Sequence, residues 1–222
     1  MRITCFCLIA VALAIILASP ILADQSSDFW QWSMVAAASN GSDGYDYWRG
    51  TIFVSTQATD GYDGEPLITS WPRPTTYAAV FHDEGAAGWN GSTGFYLDNY
   101  VGPLAPGQTK TWQLYVWSTP DMPADYDTTH FMMNRMDNIA LTGDFQFRLM
   151  LKSKPSSITG GPDVGTAWDL DMPGFEIEFP TYRTDNGLTG YEFEFSATAV
   201  PEASSFLALS IGLVGLILRR KR

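Results

Sequence analysis

The chain has 222 residues and a formal charge of −11 at pH 7, from 13 basic and 24 acidic side chains. Five of the basic residues, Arg2, Arg219, Arg220, Lys221 and Arg222, lie in the two terminal segments, so the 8 that remain face all 24 acids and residues 24–218 carry a formal −16. A surface of that sign repels phosphate backbones and anionic lipid, which excludes nucleic acid as a partner, and it attracts divalent cations.

Residues 1–23 read as a secretory signal peptide. Arg2 precedes an apolar run from Cys5 to Leu17, and Pro20-Ile21-Leu22-Ala23 then leads into the polar Asp24-Gln25. Charge, apolar stretch and processing site in that order mark a segment removed on export, here after Ala23; an uncleaved N-terminal anchor is the alternative. Both cysteines, Cys5 and Cys7, fall inside this segment. The mature chain is therefore expected to have no disulfide, no thiolate metal site and no cysteine nucleophile. Residues 24–199, enough for one domain with a core, must be held by packing alone.

That domain is written in period two. Trp30, Trp32 and Met34 alternate first; Gly50 to Ser55 and Tyr77 to Phe81 form shorter apolar runs; Trp112, Leu114 and Val116 alternate again. Phe145, Phe147, Leu149 and Leu151 share one face, as do the aromatics of Phe175-Glu176-Ile177-Glu178-Phe179 and Tyr191-Glu192-Phe193-Glu194-Phe195. Alternation of this kind, rich in aromatic and β-branched residues, predicts half-buried strands. Turn chemistry separates the runs, at Asn40-Gly41, Asp60-Gly61, Asn90-Gly91, Gly160-Gly161-Pro162 and Asp185-Asn186-Gly187. Thr128 to Ile139 alone leaves room for one or two helical turns. The fold class expected is all-β, an antiparallel β-sandwich of jelly-roll or immunoglobulin-like form.

Asp-Gly-Tyr-Asp occurs twice, placing Asp43 and Asp46, then Asp60 and Asp63, in similar settings. The plain reading is a pair of turns; the alternative is a Ca²⁺ site with these four carboxylates as ligands, although the 12-residue calcium-loop template does not fit. The two histidines are His82, beside Asp83 and Glu84, and His130. His82, Asp83 and Glu84 would join a metal site only if the fold brought His130 near. A nucleophilic triad would need a serine beside one of them, and no Gly-x-Ser-x-Gly elbow is present. Glu176 with Glu178, and Glu192 with Glu194, read as solvent-facing strand glutamates rather than glycosidase carboxylates, one of which must be desolvated. Most of the eight tryptophans are expected in the core; Trp48, Trp71 and Trp89, in turn-rich surroundings, are the candidates for stacking on a sugar ring.

The chain closes on VPEASSFLALSIGLVGLILRRKR, residues 200–222. A helix over Phe206 to Leu218 would reach only about 20 Å, and one over 203–218 about 24 Å, against a hydrocarbon core of roughly 30 Å. Arg219, Arg220, Lys221 and Arg222 would keep its end in the cytoplasm and leave the domain translocated. Val200-Pro201-Glu202, a short apolar helix and a basic cluster resemble the PEP-CTERM sorting signal of Gram-negative bacteria, with Ala203 where the second proline usually stands. The resemblance implies export by the Sec machinery and transient or single-pass anchoring in the inner membrane. Recognition by exosortase, cleavage near Pro201-Glu202 and release to the cell surface or extracellular matrix would follow. The role expected there is structural or binding, not enzymatic. The alternative is a carbohydrate-binding module or carbohydrate-active enzyme with extracellular polysaccharide as its partner.

Overall fold

The computed structural model describes residues 30–41, 48–49, 52–56, 61–63, 74–82, 94–96, 98–101, 104–136 and 145–200, all within one compact unit, Phe29–Val200. The segment expected to be a signal peptide, 1–23, and the part of the expected sorting signal beyond Val200, including the expected apolar span 203–218, lie outside the described residues. Among the described residues there are thirteen strands. They are β1 (Gln31–Ser39), β2 (Trp48–Arg49), β3 (Ile52–Thr56), β4 (Gly61–Asp63), β5 (Thr76–His82), β6 (Gly94–Tyr96) and β7 (Asp98–Val101). The second half holds β8 (Thr109–Ser118), β9 (Thr128–Arg135), β10 (Phe145–Ser153), β11 (Ala167–Asp169), β12 (Gly174–Pro180) and β13 (Tyr191–Ala199). A single 3-10 turn, Gly187–Thr189, is the helical element among these residues, and none of their helices is long and apolar enough to cross a membrane.

The strands form two sheets, one ordered β12-β9-β1-β3-β7-β4, the other β11-β10-β13-β8-β5-β2 with β6 beside β5. Pairing is antiparallel except for β3 with β7 and β2 with β5, which run parallel. Parallel neighbours were not expected without a crossover helix. Here the facing sheet supplies the crossover: between β3 and β7 the chain passes through β5 and β6 of the other sheet before returning.

The two-residue period is realised as read. In β13, Tyr191, Phe193, Phe195 and Ala197 are buried while Glu192 and Glu194 face outward, and β10 buries Phe147, Leu149 and Leu151. The segment from Thr128 departs from expectation: it is strand β9, not helix, with Phe131 and Met133 fully buried. Held between β1 and β12, it gains a ladder on each side and a core for alternate residues, which outweighs its mixed local propensity.

Aromatic side chains join the sheets. Trp32 of β1 meets Phe147 of β10 edge-on with centroids 5.5 Å apart; Phe131 of β9 lies 5.4 Å from Phe193 of β13; Phe179 of β12 lies 4.2 Å from Tyr191 of β13. Trp30 adds edge contacts to Trp112 at 5.7 Å and to Phe147 at 5.0 Å. A second aromatic group, Tyr77, Tyr115 and Trp117 with Phe81 and Phe95, lies on the other face of the second sheet. The 3-10 turn packs there: a Cβ on Gly187 would come within 2.9 Å of both Phe95 and Trp117, so only glycine allows that approach.

One polar bond also spans the core. The Tyr191 hydroxyl donates to the Pro180 carbonyl at 2.7 Å, linking β13 to β12. Burial raises the Tyr191 phenol well above the ordinary value of about 10. The protonated form is thus favoured in the folded state, so its contribution is fully present below about pH 10. Above that pH it is lost, because the unfolded phenol ionises first. Tyr191→Phe is expected to lower stability at pH 7 by about 0.5–1.5 kcal/mol, the net value of one hydrogen bond, here to a part-buried carbonyl. It should also make the decline above pH 10 shallower by about 1.4 kcal/mol per pH unit. Urea titrations of both proteins from pH 7 to 11 check both effects.

Candidate functional site

The register of three strands assembles a polar group on the outer face of the six-stranded sheet. In β9, Phe131 and Met133 point into the core, so His130 between Thr129 and Phe131 points away from it. His130 pairs with Ala37 of β1 on one side and with Glu178 of β12 on the other. Ser39 lies two residues along β1 and Glu176 two residues along β12, in opposite directions, both on the His130 face. Such diagonal neighbours stand about 7–8 Å apart at Cα, within reach of an imidazole ring. The Ala37 methyl opposite leaves the ring room.

The resulting contacts form a chain. Ser39 Oγ lies 2.8 Å from His130 Nε2, and His130 Nδ1 lies 2.7 Å from Glu176 Oε1 and 3.5 Å from Glu178 Oε1. Ser39 and His130 are 7% and 8% exposed, whereas the Glu176 and Glu178 side chains are 38% and 65% exposed. The group is therefore closed at its serine end and open to solvent at its carboxylate end.

Serine, histidine and carboxylate in this order is the arrangement that activates a nucleophile. The surroundings of Ser39 oppose that use. It is buried in a strand and paired with Thr128, where a nucleophilic serine sits on an exposed sharp turn. What the bond to Ser39 does is hold the ring, and what the ring offers outward is Nδ1 with two carboxylates around it.

The predicted site residues fall differently. Trp48 lies on β2 and Asp63 on β4, at the edges of different sheets, and His82 ends β5 in the sheet that does not contain His130. Asp43, Asp46, Asp60, Trp71 and Trp89 lie outside the described residues, as do Asp83 and Glu84. Val200 is the last described residue, and Pro201, Glu202, Arg219, Arg220, Lys221 and Arg222 follow it outside them. Glu192 and Glu194 face outward as expected, near Ser153 at 3.2 Å and Lys152 at 3.5 Å. Glu176 and Glu178 also sit on the outer face but are not simple solvated glutamates, since both converge on His130. Sequence reasoning missed Ser39 because its partner lies 91 residues away. The signal available was the alternation of Trp30, Trp32 and Met34 at the start of the strand that ends in Ser39, which marks a strand but not its pairing.

A separate shallow cleft of about 640 Å³ opens around β10 and β11. The Arg148–Asp169 pair at 3.9 Å, hydroxyls of Thr109 and Thr198 bonded at 2.8 Å, and the half-buried ring of Phe145 line it.

Ser39→Ala is expected to lower stability by about 1 kcal/mol, the net value of one buried neutral hydrogen bond. A fluorophosphonate probe should leave Ser39 unmodified; a stoichiometric adduct found there by peptide mass spectrometry would reveal a nucleophile. In comparisons with known proteins, the chain matches no family model, no curated protein and no solved structure.

Proposed function

We propose that the chain is an exported surface protein whose β domain is delivered to the cell surface or extracellular matrix by a PEP-CTERM-like tail over residues 200–222. The domain, a β-sandwich of jelly-roll or immunoglobulin-like form, acts there by structure or binding rather than catalysis. Its partners in transit are the Sec machinery and an exosortase. The observation that carries the reading is the order Val200-Pro201-Glu202, apolar run, Arg219-Arg220-Lys221-Arg222.

β13 ends at Ala199, directly before Val200-Pro201-Glu202. Ala199, the last residue of β13, donates its N–H to the Gln108 carbonyl at 3.0 Å and accepts from the Gly107 N–H at 2.7 Å. The Pro201 ring disfavours helical geometry at Val200 and keeps the junction extended, which suits entry into a protease cleft.

A second reading, a module for extracellular polysaccharide, is favoured by the cleft around β10 and β11. Its paired hydroxyls and Arg148–Asp169 carry donors and acceptors suited to sugar hydroxyls. On a glycan array the module reading expects saturable binding that Asp169→Ala weakens by about tenfold or more, on the order of 1.4 kcal/mol. No binding to any glycan would remove it.

The sorting reading is tested by mass spectrometry of the protein recovered from the surface of a cell that makes exosortase. The expected C-terminus lies near Pro201-Glu202. Surface material that still ends in Arg222 would refute processing.

A further inference from the structure

We propose that His130, Glu176 and Glu178 form a binding site for one divalent transition-metal ion of the zinc class. One ligand atom from each residue lies within 4.8 Å of the other two. An ion held at about 2.0–2.2 Å from three such atoms spaces them roughly 3–3.5 Å apart. Nδ1 is already 2.7 Å from Glu176 Oε1 and 3.5 Å from Glu178 Oε1, so small side-chain rotations complete the geometry. Nδ1 carries one proton at most and satisfies one carboxylate, whereas a divalent ion satisfies both and matches their charge. An imidazole ligand selects against calcium and magnesium, which take oxygen alone, and carboxylate oxygens are ordinary zinc ligands.

Ser39 supplies the independent support. When Nδ1–H donates to Glu176, Nε2 is the acceptor and the Ser39 hydroxyl donates to it. When an ion takes the Nδ1 lone pair, the proton moves to Nε2 and the same hydroxyl accepts. The imidazole changes tautomer with no net loss of a proton and no loss of the 2.8 Å bond. A ring nitrogen anchored on a buried oxygen while its partner nitrogen faces the ion is the usual support for a metal-binding histidine. Burial of the ring fixes its direction, and the exposed Glu178 leaves a path for entry. The proposal is independent of the sorting tail.

The test uses the full chain, stripped of metal by a chelator and titrated with Zn²⁺ in millimolar Ca²⁺. One Zn²⁺ per chain is expected to resist that calcium, and the Nδ1 resonance of His130 should shift on loading while that of His82 serves as internal reference. Glu178→Gln, at an exposed position that will not disturb folding, should weaken Zn²⁺ binding on the order of tenfold or more, and Ser39→Ala by a similar factor through the ring. Zn²⁺ affinity unchanged in both variants, equal displacement by calcium, or a His130 resonance that does not move would each overturn the assignment. His130→Ala is avoided, since removing a buried ring that bridges three strands would confuse folding with binding.

Discussion

The contact of Trp32 with Phe147 and Phe195 across the space between the two sheets is the interaction on which the domain depends. Residues 24–222 contain no cysteine, so no covalent bridge can hold the sheets together. The work falls to rings. The indole N–H groups of Trp32 and Trp112 are buried with no acceptor among the described residues, at a cost of about 1–3 kcal/mol each. Burying roughly 150–250 Å² of ring at about 25 cal/mol per Å² contributes about 4–6 kcal/mol in return. Apolar burial therefore wins, and the core keeps its tryptophans even where their nitrogens go unserved.

The same constraint sets the polar group on the opposite face. In β9, Thr129, Phe131 and Met133 are committed to the core, so His130 and Met132, which alternate with them, are turned to the other face. A slip of one residue would bury His130 among aromatic rings and expose Phe131, so the core holds the register that also sets the distance from His130 to Ser39 and Glu176. The precision of the polar group is borrowed from packing that never touches it.

Much of the scaffold is legible in the order of the residues. The runs at Phe145, Phe175 and Tyr191 alternate cleanly because each has one face in the core and one in water, and the structure makes strands of all three. Thr128 to Ile139 misled because His130, Met132 and Asn134 do not contrast with Thr129, Phe131 and Met133 as sharply as glutamate contrasts with phenylalanine. The polar group was not legible for a different reason. Glu176 lies 46 residues from His130 and Ser39 lies 91 from it, and alternation reports which face a residue takes but not which strand stands beside it. No local motif encodes a group of four side chains, Ser39, His130, Glu176 and Glu178, spread over three strands.

β12 is one of the two edge strands of its sheet among the described residues, so one side of its backbone is not paired within that set. Exposed strand edges invite other chains to add to them, and charges or proline placed there discourage it. β12 carries Glu176, Glu178 and Pro180. On such an edge this trio acts as a fence against uncontrolled strand addition from other chains. Anything that neutralised the two glutamates would lower that fence, coupling the ionic make-up of the surroundings to how readily the domains associate edge to edge.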